Sequence, residues 1–340
     1  MAGAQGLVGI LVNPMAGRDI RRLVALAPMA SAPEKVLRLR RVVAGLVAAG
    51  ARALVAEDGQ GIAREAASAA RGAVAVVATG GVEEGAEATR RAAAALVAEG
   101  AAVVVAVGGD GTQRAVARAG LPVPVLPLAG GTNNVACWTG DETAAGLAAG
   151  LVAVGAVAPE RVTRPAKVLR VTLPHGEDLA LVDVALVRAA YVGALAVWDA
   201  GAVRALVLAV ADPTRPGLSN VGGFVAPLGG DEDAVLVLDL GDGPVFPGVL
   251  APGAVGRFGV RAHRRLPLGR PVLLEADTAA TLALDGERSW TVRPGETVRV
   301  VGDRTGPPVL DPRAALAAFV AQGGRLPDGV RQAPGISEGG

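Results

Sequence analysis

A single cysteine, Cys137, in 340 residues excludes an internal disulfide and a cysteine-cluster metal site, and a reduced, cytoplasmic setting is expected. Aromatic residues are only 2% and charged residues 19% of the chain. The 51% hydrophobic share therefore comes from Ala and Val, which calls for small core side chains and close backbone packing. An excess of one charge is also absent: 33 Lys+Arg against 32 Asp+Glu leave a net charge of +1. No global field draws such a chain onto nucleic acid or an anionic membrane, and Trp138, Trp198 and Tyr191 are too scattered to stack on bases. Long spanning runs are missing despite a mean hydropathy of +0.43. The longest uncharged run, Ala119 to Gly140, holds Pro122, Pro124, Pro127, Asn133 and Asn134, which a membrane helix would not survive. No basic stretch followed by an apolar run opens the chain, so no signal peptide is expected. The apolar content rules out disorder, and the length suits roughly two domains.

The first half alternates short apolar runs with longer Ala-rich ones. The runs Leu7–Val12, Ala53–Ala56, Val74–Ala78, Val103–Val107 and Val123–Leu126 are nearly continuous in apolar character, as parallel strands buried on both faces require. Ser31-Ala-Pro-Glu34 opens a helical run over Pro33–Ala49 as a capping box. Gly50, Gly72, Gly100 and Gly120 each follow a helical run at the position that stops a helix. The pattern predicts a doubly wound, Rossmann-like α/β domain over residues 1–158.

After Pro159 the texture changes. Lys167–Leu173 and Leu179–Val187 flank the turn Pro174-His-Gly-Glu177, and further strands are expected at Val221–Ala226, Ala234–Leu240, Gly256–Ala262, Pro271–Glu275, Ala280–Leu284, Ser289–Val292 and Thr297–Val301, with Gly241-Asp-Gly-Pro244 among the separating turns. One helix, Gly201–Ala211 capped by Asp199, is expected to interrupt this all-β, sandwich-like domain over 159–305. Asp311-Pro312 reads as the cap of a last helix, within a final segment 306–340 that returns to the first domain and ends in a loose Gly- and Pro-rich tail. His175 and His263 read as solvated or packing residues, the Arg261/Arg264/Arg265 group as a solvated face, and Cys137 as a small apolar filler.

The most informative stretch ends the fourth strand: Gly108-Gly109-Asp110-Gly111-Thr112. Glycines let main chain approach a ligand without a Cβ in the way, and N–H groups at a helix start favour phosphate. Asp110 is out of place beside an anion unless it holds Mg²⁺ or takes a proton from an attacking hydroxyl; the plainer reading is a tight turn with Asp110 capping the helix. The next strand ends in Gly130-Gly131-Thr132-Asn133-Asn134, which bares backbone again and adds neutral donors and acceptors suited to ribose hydroxyls or phosphate. Asn13-Pro14…Gly17-Arg18 places an amide and an arginine at the end of the first strand. Far downstream, Asp285-Gly286-Glu287 is first a hairpin turn signal, and with the other motifs the two acids become candidate base or metal groups across an interdomain cleft. No Walker A pattern and no Gly-x-Gly-x-x-Gly after the first strand is present.

Together these segments resemble the superfamily of NAD kinases and diacylglycerol-type lipid kinases. Gly108-Gly-Asp-Gly-Thr112 looks like its glycine signature, Gly131-Thr-Asn-Asn134 like its second glycine turn, and Asp285-Gly-Glu287 like the late Asp-Gly element with the Glu of the lipid branch. The nearest resemblance is to the acetoin-catabolism-protein-X-like ATP-NAD kinases, through Asn13-Pro…Gly17-Arg-Asp-Ile-Arg-Arg22 and Asp212-Pro…Arg215-Pro-Gly-Leu-Ser-Asn220. The resemblance implies an active site between an α/β and an all-β domain, with ATP, Mg²⁺, transfer to a hydroxyl, NAD as candidate acceptor and a homo-oligomer. By the same resemblance Asp110 activates the acceptor hydroxyl. Asp183 matches the acid of the Asn-acid pair on an early β-domain strand, where this chain carries Val182 in place of the Asn, and the Pro-Thr-Gly-Ser-Thr-Ala-Tyr segment of NAD kinases is missing. Three functions stay open at this stage: an NAD-type kinase, a lipid- or small-diol kinase, and a non-catalytic nucleotide-binding accessory protein.

Overall fold

The structure is a computed structural model that describes residues 6–17, 31–68, 73–78, 85–188, 200–286 and 288–326. The first sheet is built from β1 (Leu7–Val12), β2 (Arg52–Ala56), β3 (Val74–Val77), β4 (Val103–Gly108), β5 (Val125–Ala129), β6 (Thr163–Pro165) and, from the other end of the chain, β17 (Pro308–Leu310). Its order is β3-β2-β1-β4-β5-β17-β6, parallel except between β17 and β6. The order reverses between β1 and β4, the point at which such sheets open a crevice at their carboxyl ends.

Helices cover both faces of this sheet. The helix α1 (Ala32–Ala48) starts where the Ser31 side chain accepts from the Glu34 N–H at 3.3 Å, and its stripe Val36, Leu39, Val42, Val43 and Leu46 is buried. With α2 (Ile62–Ser68), α5 (Glu142–Ala153) and α7 (Pro312–Ala321) it lies over one face. The other face carries α3 (Ala86–Ala98) and α4 (Asp110–Ala117). Small residues do bring backbones together. A Cβ on Gly45 would lie 2.0 Å from the Thr143 carbonyl oxygen, so α1 and α5 pack main chain on main chain. Gly50, Gly100 and Gly120 end their helices with φ of 83°, 90° and 62°, while Gly72 falls outside the described residues.

The second half forms two antiparallel sheets. β7 (Val168–Leu173), β8 (Gly176–Ala180), β13 (Pro271–Glu275) and β16 (Thr297–Asp303) make one, ordered β13-β16-β7-β8. The other, ordered β12-β11-β10-β9-β14-β15, contains β9 (Asp183–Val187), β10 (Val203–Leu208), β11 (Ala234–Ala251), β12 (Ala254–Pro267), β14 (Ala280–Leu284) and β15 (Arg288–Val292). They sandwich a core of Leu169, Val171, Val207, Val237, Leu282 and Val300, among others. The outer face of the six-stranded sheet is covered by α6 (Leu218–Val225) through Leu218 and Val221.

Four expectations are corrected. Gly201–Ala211 is not a helix: after a single turn at Ala200–Ala202 it is the strand β10, which is apolar from Ala205 on because Val207 faces the sandwich core and Leu206 and Leu208 face α6. Asp199, its supposed cap, lies outside the described residues. Val221–Ala226 is not a strand but most of α6, apolar because it lies flat on that sheet. Gly241-Asp-Gly-Pro244 does not end a strand; β11 runs through it with a register shift between Leu240 and Val245. Leu179–Val187 is broken into β8 and β9 at Leu181-Val182. Among the described residues, no helix is long and apolar enough to cross a membrane.

Candidate nucleotide site at the strand tips

Three strand ends meet at the reversal of the sheet order. The Asn13 side-chain amide donates to the Thr112 hydroxyl at 2.9 Å and its N–H to the Val107 carbonyl at 3.0 Å, tying the β1 turn to the β4 turn. The β4 and β5 turns press directly on each other. A Cβ on Gly131 would lie 2.5 Å from the Gly109 Cα, so only glycine lets these two backbones meet. The Asp110 N–H donates to the Asn133 carbonyl and the Gly130 N–H to the Gly108 carbonyl.

Asp110 is 2% exposed and opens α4 as its first residue, with Gly109 in the capping position. Its carboxylate accepts from the Val135 N–H at 3.1 Å and the Ala136 N–H at 2.9 Å. The acid is thus the stitch between the two turns. The amides of the second turn are closed internally, because the Asn134 side-chain oxygen takes both the Gly130 and Gly131 N–H groups at 3.1 and 3.0 Å. The bare main chain is therefore in the first turn. Among the described residues, the N–H groups of Gly109 and Gly111 have no acceptor. Asn133 is 8% exposed, and its side-chain oxygen is buried without a partner. Its amide nitrogen lies beside Gly217, which reaches over from the second domain with φ of 124°; a Cβ there would come within 3.3 Å of it.

That second-domain loop is tied by its own hydrogen bonds. Asp212 accepts from the Thr214 N–H at 2.8 Å, Asn220 donates to the Pro213 carbonyl at 2.7 Å and accepts from the Val249 N–H at 2.7 Å. Two cationic residues on α1 also reach the strand tips. Lys35, 2% exposed, donates to the Asn13 and Pro14 carbonyls, and Arg38 donates to the Ala129 carbonyl at 2.6 Å. Neither was read from sequence; their signal is a Lys and an Arg one turn apart on the helix next in sequence.

Asp285 is also 2% exposed, but its setting differs. With φ of 50° at Asp285 and 65° at Gly286, it is a hairpin turn between β14 and β15. Its carboxylate accepts from the N–H groups of Leu181, Val182 and Asp183, at 2.8 Å from Val182. This is the break between β8 and β9. Burial raises the Asp285 carboxyl above the usual range, against the pull of Arg114 and the three amides. Its oxygens are taken up by these three amides, and among the described residues, which leave out Glu287, no group of three or more His, Cys, Asp or Glu could hold a metal ion. Asp183 lies beside it, 5% exposed, its carbonyl taking the Asp285 N–H at 2.9 Å. Gly17 closes the β1 turn with φ of 75°, and Thr132 is half-buried in the β5 turn. Arg18 and Glu287 fall outside the described residues.

The helix α4 joins these two places. Asp110, Arg114 and Arg118 recur every four residues along it, on one face. Arg114 pairs with Asp178 of the second domain at 2.8 Å, both side chains at most 4% exposed. Asp178 also accepts from Arg118, the Trp290 indole N–H and its neighbour Leu179 N–H. Burial pushes the Asp178 carboxyl up, but Arg114 with these N–H donors outweighs it and holds it below the usual range. An apolar seam runs alongside: Val182 and Leu181 pack with Ala117, Val135 and Ala136. Val182, at the position where the resemblance places an Asn, is 1% exposed in this seam. Behind the second turn, Arg313 of α7 lies 5.3 Å over the Trp138 ring, and Cys137 is buried against the Gly108 carbonyl.

Comparison with known proteins follows the same division of the chain. Residues 8–154 match the family model described as ATP-NAD kinase N-terminal domain, and residues 167–305 match the acetoin catabolism protein X C-terminal domain. Acetoin catabolism protein X of Cupriavidus necator is 33% identical over 127 residues, which is 36% of this chain and 35% of that protein; the match thus spans about a third of the relative's length. In fold the chain is similar to yeast NADH kinase complexed with NADH, at a TM-score of 0.52 and 11% identity over 94% of this chain and 88% of that one. A diacylglycerol kinase from Bacillus anthracis str. Sterne aligns at a TM-score of 0.45 and 13% identity, over 92% of this chain and 99% of that one.

Proposed function

The chain belongs to the NAD kinase-like superfamily, with an ATP-NAD kinase N-terminal domain and an acetoin catabolism protein X C-terminal domain, and from that premise we propose that it is an ATP-dependent phosphotransferase whose acceptor is a hydroxyl, in first place the ribose 2′-hydroxyl of NAD. The observation that carries this reading is the start of α4, where the unsatisfied Gly109 and Gly111 N–H groups lie in a turn packed against the backbone of Asn133, whose own side-chain oxygen is buried without a partner. Two donors at the positive end of a helix suit a phosphate, and a lone buried acceptor suits a ribose or acceptor hydroxyl. The polyphosphate of ATP fits the first turn, and Thr132 and Asn133 fit its sugar side. Mg²⁺ bound together with the nucleotide would neutralise the charge that develops on the transferred group.

The remaining chemistry falls to the chain itself. The acceptor oxygen attacks the terminal phosphorus, the bond to the β–γ bridging oxygen breaks, and ADP leaves. Asp110, whose carboxylate accepts from the Val135 and Ala136 N–H groups, orients the acceptor hydroxyl and takes its proton. Asn13 holds Thr112, and with it the turn, against the first strand. Lys35 brings a buried positive charge to the same edge.

A second reading, a nucleotide-binding accessory protein without turnover, draws support from the same contacts, because the Asp110 carboxylate already serves the Val135 and Ala136 amides. Incubation of the purified chain with ATP, Mg²⁺ and NAD decides between them. NADP formation that drops by about 10²- to 10⁴-fold in Asp110→Asn is the expected result. ADP release with another hydroxyl compound but not NAD moves the acceptor to a lipid or small diol. A rise in Tm with ATP and no ADP from any acceptor establishes the second reading.

A further inference from the structure

A groove of about 550 Å³ lies on the other side of α4 from the strand tips, between the far end of that helix and the outer face of the four-stranded sheet. Its walls come from both domains: Arg118 and Gly120 at the end of α4, and Arg170, Thr172, Glu177 and Arg299 on the sheet. Register places Arg299 directly across from Thr172, and Thr172 across from Glu177. With strands ~4.8 Å apart, this sets a cation and an anion roughly 10 Å apart with a hydroxyl between them.

The charge accounting separates occupied groups from open ones. Arg170 is held by Asp303 at 2.7 Å and by Thr305. Asp178 is buried and shared by Arg114 and Arg118, which leaves one positive charge over, on the 41% exposed side chain of Arg118. Among the described residues, the side chains of Arg299 and Glu177 have neither an ion pair nor a hydrogen bond. An exposed arginine with no partner, a second with half a partner, and a carboxylate at the far end of the same row form a polarised trough.

We propose that this groove is a second binding site, for a small hydroxylated oxyanion of the sugar-phosphate class. Its anionic group lies on Arg299 and Arg118, and its hydroxyls are read by Thr172 and Glu177. Arginine suits the oxyanion through its planar fork of donors, and a carboxylate accepts from hydroxyls without attracting a second anion. A ligand there bridges the two domains on the helix that begins at Asp110. The inference does not depend on the phosphotransferase reading.

Isothermal titration calorimetry of the full chain with ribose 5-phosphate, and separately with inorganic phosphate, tests it without ATP or NAD. Saturable binding of both is expected, with ribose 5-phosphate tighter. Arg299→Ala, an exposed change that leaves no buried partner, is expected to weaken both about tenfold or more. Glu177→Gln is expected to weaken ribose 5-phosphate and leave inorganic phosphate unchanged. Arg257→Ala, an equally exposed arginine on β12 outside both sites, is expected to leave both ligands unchanged. No saturable heat with either ligand, binding untouched by Arg299→Ala, or an equal loss with Arg257→Ala overturns the proposal. A Glu177→Gln chain that behaves like its parent toward ribose 5-phosphate overturns the hydroxyl half of it.

Discussion

Asp110 and Asp285 are equally buried, and each commits its carboxylate to main-chain N–H groups remote in sequence: Val135 and Ala136 for one, Leu181 to Asp183 for the other. What surrounds them differs. Beside Asp110 the helix start keeps two N–H groups without acceptors, and a buried amide oxygen points at nothing. Asp285 sits in a hairpin turn, and its carboxylate is taken by three N–H groups of its own domain. The apolar seam of Val135, Ala136 and Val182 lies between the two, so the side chains of one aspartate's amide donors pack on a donor of the other. An acid that ties a loop is a structural device; the same tie becomes a functional one where the surroundings leave polar groups unmet.

The strongest way to break the comparison is to remove the residue common to both. Arg114 lies one turn after Asp110 and its charge is felt at Asp285. Arg114→Met leaves Asp178 buried without its main partner and is expected to cost about 4 kcal/mol of unfolding free energy, read from urea melts. Next comes the second aspartate alone. Asp285→Asn is expected to lower stability by about 2 kcal/mol, because a side-chain N–H then faces main-chain N–H groups, while ATP affinity of the folded chain stays as it was. Asp110→Asn should cost stability for the same reason, its amide facing the Val135 and Ala136 N–H groups, but unlike Asp285→Asn it should also abolish turnover of the folded chain. If calorimetry instead finds ATP binding abolished by Asp285→Asn, the division between the two acids fails.

Smaller effects sharpen the picture. Gly131→Ala inserts a Cβ against the Gly109 backbone and is expected to cost about 1.5 kcal/mol by thermal melting, with weaker ATP binding, since the turn that must move carries the unmet N–H groups. A further effect belongs to neither acid. Burial, with Arg304 adding to it, lowers the Lys167 ammonium to about 8 from 10.5. The unfolded chain then holds this proton more tightly between those values, so stability rises with pH across that window. Lys167→Met should flatten that rise in urea midpoints measured from pH 8 upward, with the Asp110 and Asp285 contacts unaffected.

Much of this was legible in the residues. Continuous apolar runs with glycine stops give the parallel sheet, and the glycine turns at Gly108 and Gly130 do fall at adjacent strand tips. Ser31 and Asp311 cap the helices they precede. Two elements were misread where local pattern is silent. Ala205–Leu208 is apolar on both faces and so has no period, and Val221–Ala226 is helical because it lies on a sheet assembled from distant strands. At the site, residue types and turns were readable, but the direction of the carboxylates was not. Asp110 turns to amides 25 and 26 residues away, and Arg114 to an acid 64 residues away, and no local rule encodes either.

The return of the chain to its starting sheet has a consequence for synthesis. β17 is the strand that joins β5 to β6, and it is translated only after the entire sandwich has emerged. On the ribosome the Val125 end of β5 therefore lacks its partner until the later half has emerged, while Leu128 is already bridged by Trp138. Completion of the first sheet comes last in the order of translation, and a truncation before Pro308 would leave that end of β5, and β6, unpaired.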